Sequence, residues 1–112
     1  MDQETLKKKS LELIHKTKGF LLLEKAHENS LTALLLISRA KLARDGKIGN
    51  LSKGILPLIK GARNLGEAES LIENKMAKLK IRMNELSSEI LELSDLLEPY
   101  SSQENPTEQE NR

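Results

Sequence analysis

Two stretches of this 112-residue chain hold residue types that could do chemistry. The first is the pair Glu12-x-x-His15 and Glu24-x-x-His27. A carboxylate and an imidazole three positions apart lie on one helix face, and di-iron bundles set such pairs around metal with glutamates from other helices. Here both copies fall in one helical segment, twelve residues apart, or roughly 18 Å along a helix axis. They cannot share an ion within one chain. The expectation is therefore no metal site and no cofactor, with His15 and His27 as surface or half-buried side chains.

The second stretch is ISRAKLARDGKIGNLSKGILP, Ile37 to Pro57. Gly49 and Gly54 have the glycine spacing of a phosphate loop, but Ile55 follows where that loop needs lysine, and no strand pattern precedes it. Gly46-Lys47-Ile48-Gly49 has the spacing of a KH clamp without the sheet that module requires. The glycines read instead as a connection between helices, with Gly46 as a left-handed cap after Arg44 and Asp45.

Charge gives this stretch a second meaning. Arg39, Lys41, Arg44, Lys47, Lys53, Lys60 and Arg63 are seven cations against one acid, Asp45, a local balance of 7 − 1 = +6. Acids prevail from Glu67 onward. Such a patch suits a phosphate backbone, but no aromatic is interleaved for base stacking. A docking patch for an acidic protein is the first reading, and nucleic acid the alternative. Two histidines, no cysteine and no nucleotide fingerprint point to a non-enzymatic protein with no catalytic residues.

The elements that would carry these residues are helical. Aromatics number two, Phe20 and Tyr100, while Leu, Lys, Glu, Ser and Ile abound, the mix of long helices and coiled coils. The overall charge is +1, so no global field draws the chain to nucleic acid or membrane. Absent cysteine and a polar N-terminus suit a cytoplasmic or nuclear location. The longest apolar run, 31–37, is far shorter than the ~20 residues of a membrane span. Asn50-Leu51-Ser52 matches the glycosylation pattern by chance.

Residues from about 3 to 45 lack proline and repeat Leu6, Leu13, Phe20, Leu23, Leu31, Leu34, Ile37 and Leu42 at helical spacing. Gly19, Ala26, Ala33 and Ala40 stand seven apart, a line along which a second helix can approach. Ser30 fits either the cap of a second helix or the interior of one. A bend of 46–57 follows, then a helix of about 58–98. There Ile72, Leu79, Leu86 and Leu93 alternate with Met76, Met83, Ile90 and Leu97 in an a/d heptad. Glu69 is its one breach, and Gly61 and Gly66 nearby leave open a later start of the helix, with Asn64 or Gly66 near it. Paired Met suits an adaptable seam. Pro99 ends the helix, and the polar residues 99–112 read as a disordered tail. The expectation is an all-α long helical hairpin or coiled-coil bundle. Leu22, Leu36, Leu71, Ile81 and Leu91 lie off its seam, so the hairpin must break into more helices, dimerise or take a partner.

The runs ISRAKLARDG and LSKGILP are similar to those in the coiled-coil cytosolic assembly factors of the vacuolar proton ATPase. There an opening helix ends in a basic Leu-Ala run, then glycine, then Leu-Pro. The matching positions are Ile37, Arg39, Ala40, Lys41, Gly46, Leu56 and Pro57. Ser38 and Leu42 depart from the family pattern, and the long polar linker before the last helices is missing. The resemblance covers about a fifth of the chain. It implies a chaperone-like role on the cytosolic face of the endoplasmic reticulum. Together the sequence points to a helical adaptor or assembly factor, binding a helical protein or a second copy through the seam from Ile72 to Leu97.

Overall fold

The computed structural model describes residues 1–104, with side chains through Tyr100. Two 40-residue helices, α1 (Gln3–Leu42) and α2 (Leu65–Glu104), flank a segment with two short 3-10 turns, Ile48–Asn50 and Leu56–Ile59. There is no strand among the described residues, and the fold is an all-α helical hairpin. Asp2 starts α1: its carboxylate accepts the Thr5 N–H at 2.7 Å, and its carbonyl accepts the Leu6 N–H at 3.0 Å. The Thr5 amide holds the Asp2 carboxyl below its ordinary pKa. Ser30 lies inside one uninterrupted helix, so the first segment is not divided there.

The chain forms two compact units, each containing a piece of both helices. The first combines Met1–Leu21 with α2 from Asn84 onward. Lys16 pairs with Glu89 at 3.2 Å, Gly19 faces Leu86, and the Met1 ammonium donates to the Tyr100 hydroxyl at 3.3 Å. The numbers rise on α1 as they fall on α2, so the two pieces run antiparallel. Leu86, Leu93 and Leu97 are buried here.

The second unit, Leu22–Met83, holds the larger core. Ala33 and Ile37 of α1 meet Leu65, Ala68 and Ile72 of α2. Leu51, Ile55 and Ile59 from the connecting segment complete the cluster. Ile37 and Ile72 are fully buried, each worth about 1.5–3 kcal/mol relative to exposure. Ala33, on the seven-residue line of small residues, is fully buried in this cluster.

Several boundaries differ from the sequence reading. The bend expected at 46–57 is no loose linker, because its apolar residues at four-residue spacing are buried. The second helix begins at Leu65, at the later start near Asn64 rather than at 58. Leu56–Ile59 closes only a 3-10 turn, and Gly61 then takes a positive φ of 94°, which breaks any continuation. Gly46 is not the left-handed residue. Its need for glycine is steric: a β-carbon there would stand 1.8 Å from the Ala40 carbonyl oxygen. α2 also runs through Pro99 to Glu104. Proline costs the Asp95 carbonyl its helical partner, a modest loss close to the helix end. The tail expected at 99–112 thus opens in helix, and 105–112 lie outside the described residues.

Candidate functional site

The basic bend is built from the end of α1 outward. Ala43 N–H reaches the Ala40 carbonyl and Gly46 N–H the Ala43 carbonyl, both at 3.2 Å. The Asn50 amide donates to the Asp45 carbonyl at 3.0 Å, and Asn50 N–H to the Lys47 carbonyl at 3.0 Å. Local bonds and the buried anchors Leu51, Ile55 and Ile59 therefore order the backbone that carries the cations. All seven, Arg39, Lys41, Arg44, Lys47, Lys53, Lys60 and Arg63, are exposed and belong to the second unit.

Two of the seven already have acid partners. Lys41 meets Glu69 at 3.2 Å, which accounts for the single polar breach in the heptad. Both side chains are partly exposed, so the pair is worth at most about 1 kcal/mol. Arg63 is tied to Glu67 by its guanidinium at 3.0 Å and by its own backbone N–H at 2.7 Å. Asn64 in turn accepts the Glu67 N–H at 2.9 Å. The Asn64 side chain thus caps one donor that the N-terminus of α2 leaves open, and the Glu67 carboxylate reaches back past it to the Arg63 N–H. The Arg63 backbone N–H, then its side chain, holds the Glu67 carboxyl below the ordinary glutamate pKa.

Lys47, Arg63 and Asn64 border a shallow depression with Gly46, Gly49 and Gly66. An anion there would have to displace Glu67, which already sits at the helix N-terminus. Gly49 lies in a 3-10 turn after no strand, so the phosphate-loop geometry is missing. Arg39, Arg44, Lys47, Lys53 and Lys60 form no ion pair among the described residues.

The heptad residues of α2 turn inward within their own units. Ile72, Leu86, Leu93 and Leu97 are buried, and Met76, Leu79, Met83 and Ile90 half-buried. Leu71, Ile81 and Leu91 stay exposed, as does Leu22 on α1, but Leu36, expected off the seam, packs half-buried against the core, and its neighbour Leu35 is exposed instead. The histidines are not brought together: His15 is exposed in the first unit and His27 half-buried in the second. Glu12 pairs with Lys9 at 3.6 Å and Lys16 at 3.9 Å. Among the described residues no group of three or more His, Asp or Glu is placed to hold a metal, and no helix is long and apolar enough to cross a membrane.

Sequence reasoning missed the cap at Asp2, and it set Asn64 near the start of the second helix without its capping role, although Asn64-Leu65-Gly66-Glu67 carried the capping spacing. It also missed a line of exposed apolar residues on α1. No protein-family model matches the chain, and neither a curated protein nor a solved structure matches it.

Proposed function

We propose that the chain is a non-enzymatic helical adaptor or assembly factor that docks an acidic protein through the basic end of its second unit. The observation that carries this is the setting of the five cations, which form no ion pair among the described residues. They are displayed on an ordered backbone beside Leu42 and Leu56, both exposed. Charge with adjacent apolar surface suits a protein partner, since basic side chains steer the encounter and apolar contacts hold it. The resemblance to vacuolar proton ATPase assembly factors makes that complex the first partner to try. The seam residues of the second unit, Ile72, Met76, Leu79 and Met83, then serve to hold the docking end in shape.

The test reverses Lys47, Lys53 and Lys60 to Glu together. Loss of co-precipitating proton ATPase subunits, with helicity unchanged, supports the reading. Nucleic acid is the second reading, favoured by the same unpaired cations. Duplex and single-stranded probes near physiological salt decide it: submicromolar binding that the triple variant loses would replace the adaptor with a nucleic-acid module.

A further inference from the structure

The two sides of the first unit are unlike. On one side Lys16 meets Glu12 at 3.9 Å and Glu89 at 3.2 Å, and Glu12 also meets Lys9 at 3.6 Å. This chain of ion pairs crosses between α1 and α2 beside Leu93 and Leu96. On the other side a groove of about 490 Å³ lies between the same two helices. Glu12 and Lys16 each stand two positions from Ile14, which lines the groove, so they leave α1 in the opposite direction. Leu97 and Tyr100 line the groove with Ile14, above Leu6 and Leu13, and the small Ser10 and Ser94 leave it open. Every one of these residues belongs to the first unit. Helical spacing extends the apolar floor. Leu21 stands seven beyond Ile14, and Leu91 three before Ser94 and seven before Glu98, so both share the groove side of their helices. Ile14, Leu21 and Leu91 are 48%, 56% and 61% exposed. From Leu6 to Leu21 the floor runs about 22 Å, roughly four helical turns, which is the reach of a helix rather than of a small ligand.

Charge selects the occupant. Asp95 and Glu98 form the α2 border of the groove, are exposed, and make no ion pair among the described residues. Residues 84–104 carry six acids and no cation. Lys7 and Lys18 stand seven before and four after Ile14, which puts them on the α1 border, and they too make no ion pair among the described residues. The groove thus has an apolar floor, one acidic edge and one basic edge. An anionic lipid surface would meet Asp95 and Glu98. Residues 101–112 hold no large apolar side chain, so they do not match the floor.

We infer that this groove receives one amphipathic helix of a partner protein, laid along α1 and α2 as the third helix of a bundle. The apolar stripe of that helix covers Ile14, Leu21 and Leu91. Lys or Arg along one of its edges faces Asp95 and Glu98, and acids along the other edge face Lys7 and Lys18. The two edges fix its direction, because the same helix turned end for end would set like charge against like. The site uses none of the cations of the basic bend, so it stands or falls separately from the docking of an acidic protein there.

The experiment titrates the full chain with two helical peptides of about five turns, each with Leu at i, i+3, i+4 and i+7 spacing. One peptide carries Lys along one edge and Glu along the other, and the second carries Glu along both. The mixed peptide should bind with a Kd of tens of micromolar or tighter, at least tenfold tighter than the all-Glu peptide. Ile14→Gln and Leu91→Gln should each weaken it at least tenfold at unchanged helicity. Asp95→Lys together with Glu98→Lys should reverse the order of the two peptides. No binding of the mixed peptide at hundreds of micromolar overturns the proposal. So does equal binding of the two peptides, which would mean a non-specific apolar contact, or binding that both Gln variants keep. Solution mass of the pure chain is the last check: a dimer that Ile14→Gln and Leu91→Gln both abolish would put a second copy in the groove and overturn the partner helix.

Discussion

Gly46 lies against Ala40 so closely that a β-carbon on it would stand 1.8 Å from the Ala40 carbonyl oxygen and 2.8 Å from the carbonyl carbon. Backbone atoms cannot yield as a side-chain end can. Gly46→Ala should therefore force the connecting segment off its seat over Leu51, Ile55 and Ile59, at a cost of about 2 kcal/mol or more. Gly49→Ala and Gly54→Ala meet nothing within 4 Å and should leave the melting temperature near its starting value. Gly61→Ala, at φ 94°, should cost roughly 1–2 kcal/mol from backbone strain alone. Thermal melts of the four variants compare them directly, and equal effects at 46 and 49 would refute the close approach.

The heptad separates buried from exposed apolar residues of α2. Ile72 has no exposed surface, while Ile81 is 61% exposed. Ile72→Ala should lose about 2–5 kcal/mol, and Ile81→Ala less than about 0.5 kcal/mol. Urea titrations with a constant slope would measure both. A small loss at Ile72 would show that the second unit is not held by this core.

Ser30 is 1% exposed, and its hydroxyl has no hydrogen-bond partner. A buried hydroxyl without a partner carries a desolvation cost, and serine is a poorer helix former than alanine. Ser30→Ala should thus raise stability by about 1 kcal/mol. A fall in melting temperature would mean that the hydroxyl is bonded in solution.

The lowered pKa of Glu67 gives a pH dependence of known sign. A carboxyl held lower in the fold than in the unfolded chain stabilises the fold above the ordinary glutamate pKa. That contribution fades as pH drops through the lowered value. Melting temperature should decline on acidification across this window. Arg63→Ala removes the guanidinium but keeps the backbone N–H, the larger cause, so it should raise the Glu67 pKa only part of the way. A carbon-detected NMR titration of the Glu67 carboxyl reads this, and an unmoved titration in the variant would contradict the clamp.

Periodicity made the helices and the inward face of α2 readable, since Ile72, Leu86, Leu93 and Leu97 keep one heptad register from end to end. Glu69 looked like a breach because its partner, Lys41, is 28 residues away in sequence. Position alone could not say whether Ser30 capped a helix or sat within one, as the same side chain serves both. The glycines misled for a related reason. Gly46 is required by a neighbour and Gly61 by its own φ, and composition does not distinguish the two demands. The connecting segment looked loose because glycines drew attention from Leu51, Ile55 and Ile59, whose even spacing was the signal of burial. For the basic bend, the charges were visible, but the capture of Lys41 and Arg63 by Glu69 and Glu67 needed coordinates.

The antiparallel pairing within the first unit has a consequence for synthesis. Its contacts join Lys16 to Glu89 and Met1 to Tyr100, whereas the second unit is complete once residue 83 has been made. On the ribosome the middle of the chain can fold while the first twenty-one residues still wait for their counterpart. Loop closure adds little to the delay once the central unit has formed, since its cost grows only slowly with length. What governs the wait is translation itself, at about 5–20 residues per second. Leu6 and Leu13 leave the exit tunnel well before their counterparts on α2 are made and are therefore sheltered late, and a nascent chain halted before Asn84 would present them bare to whatever chaperone is at hand.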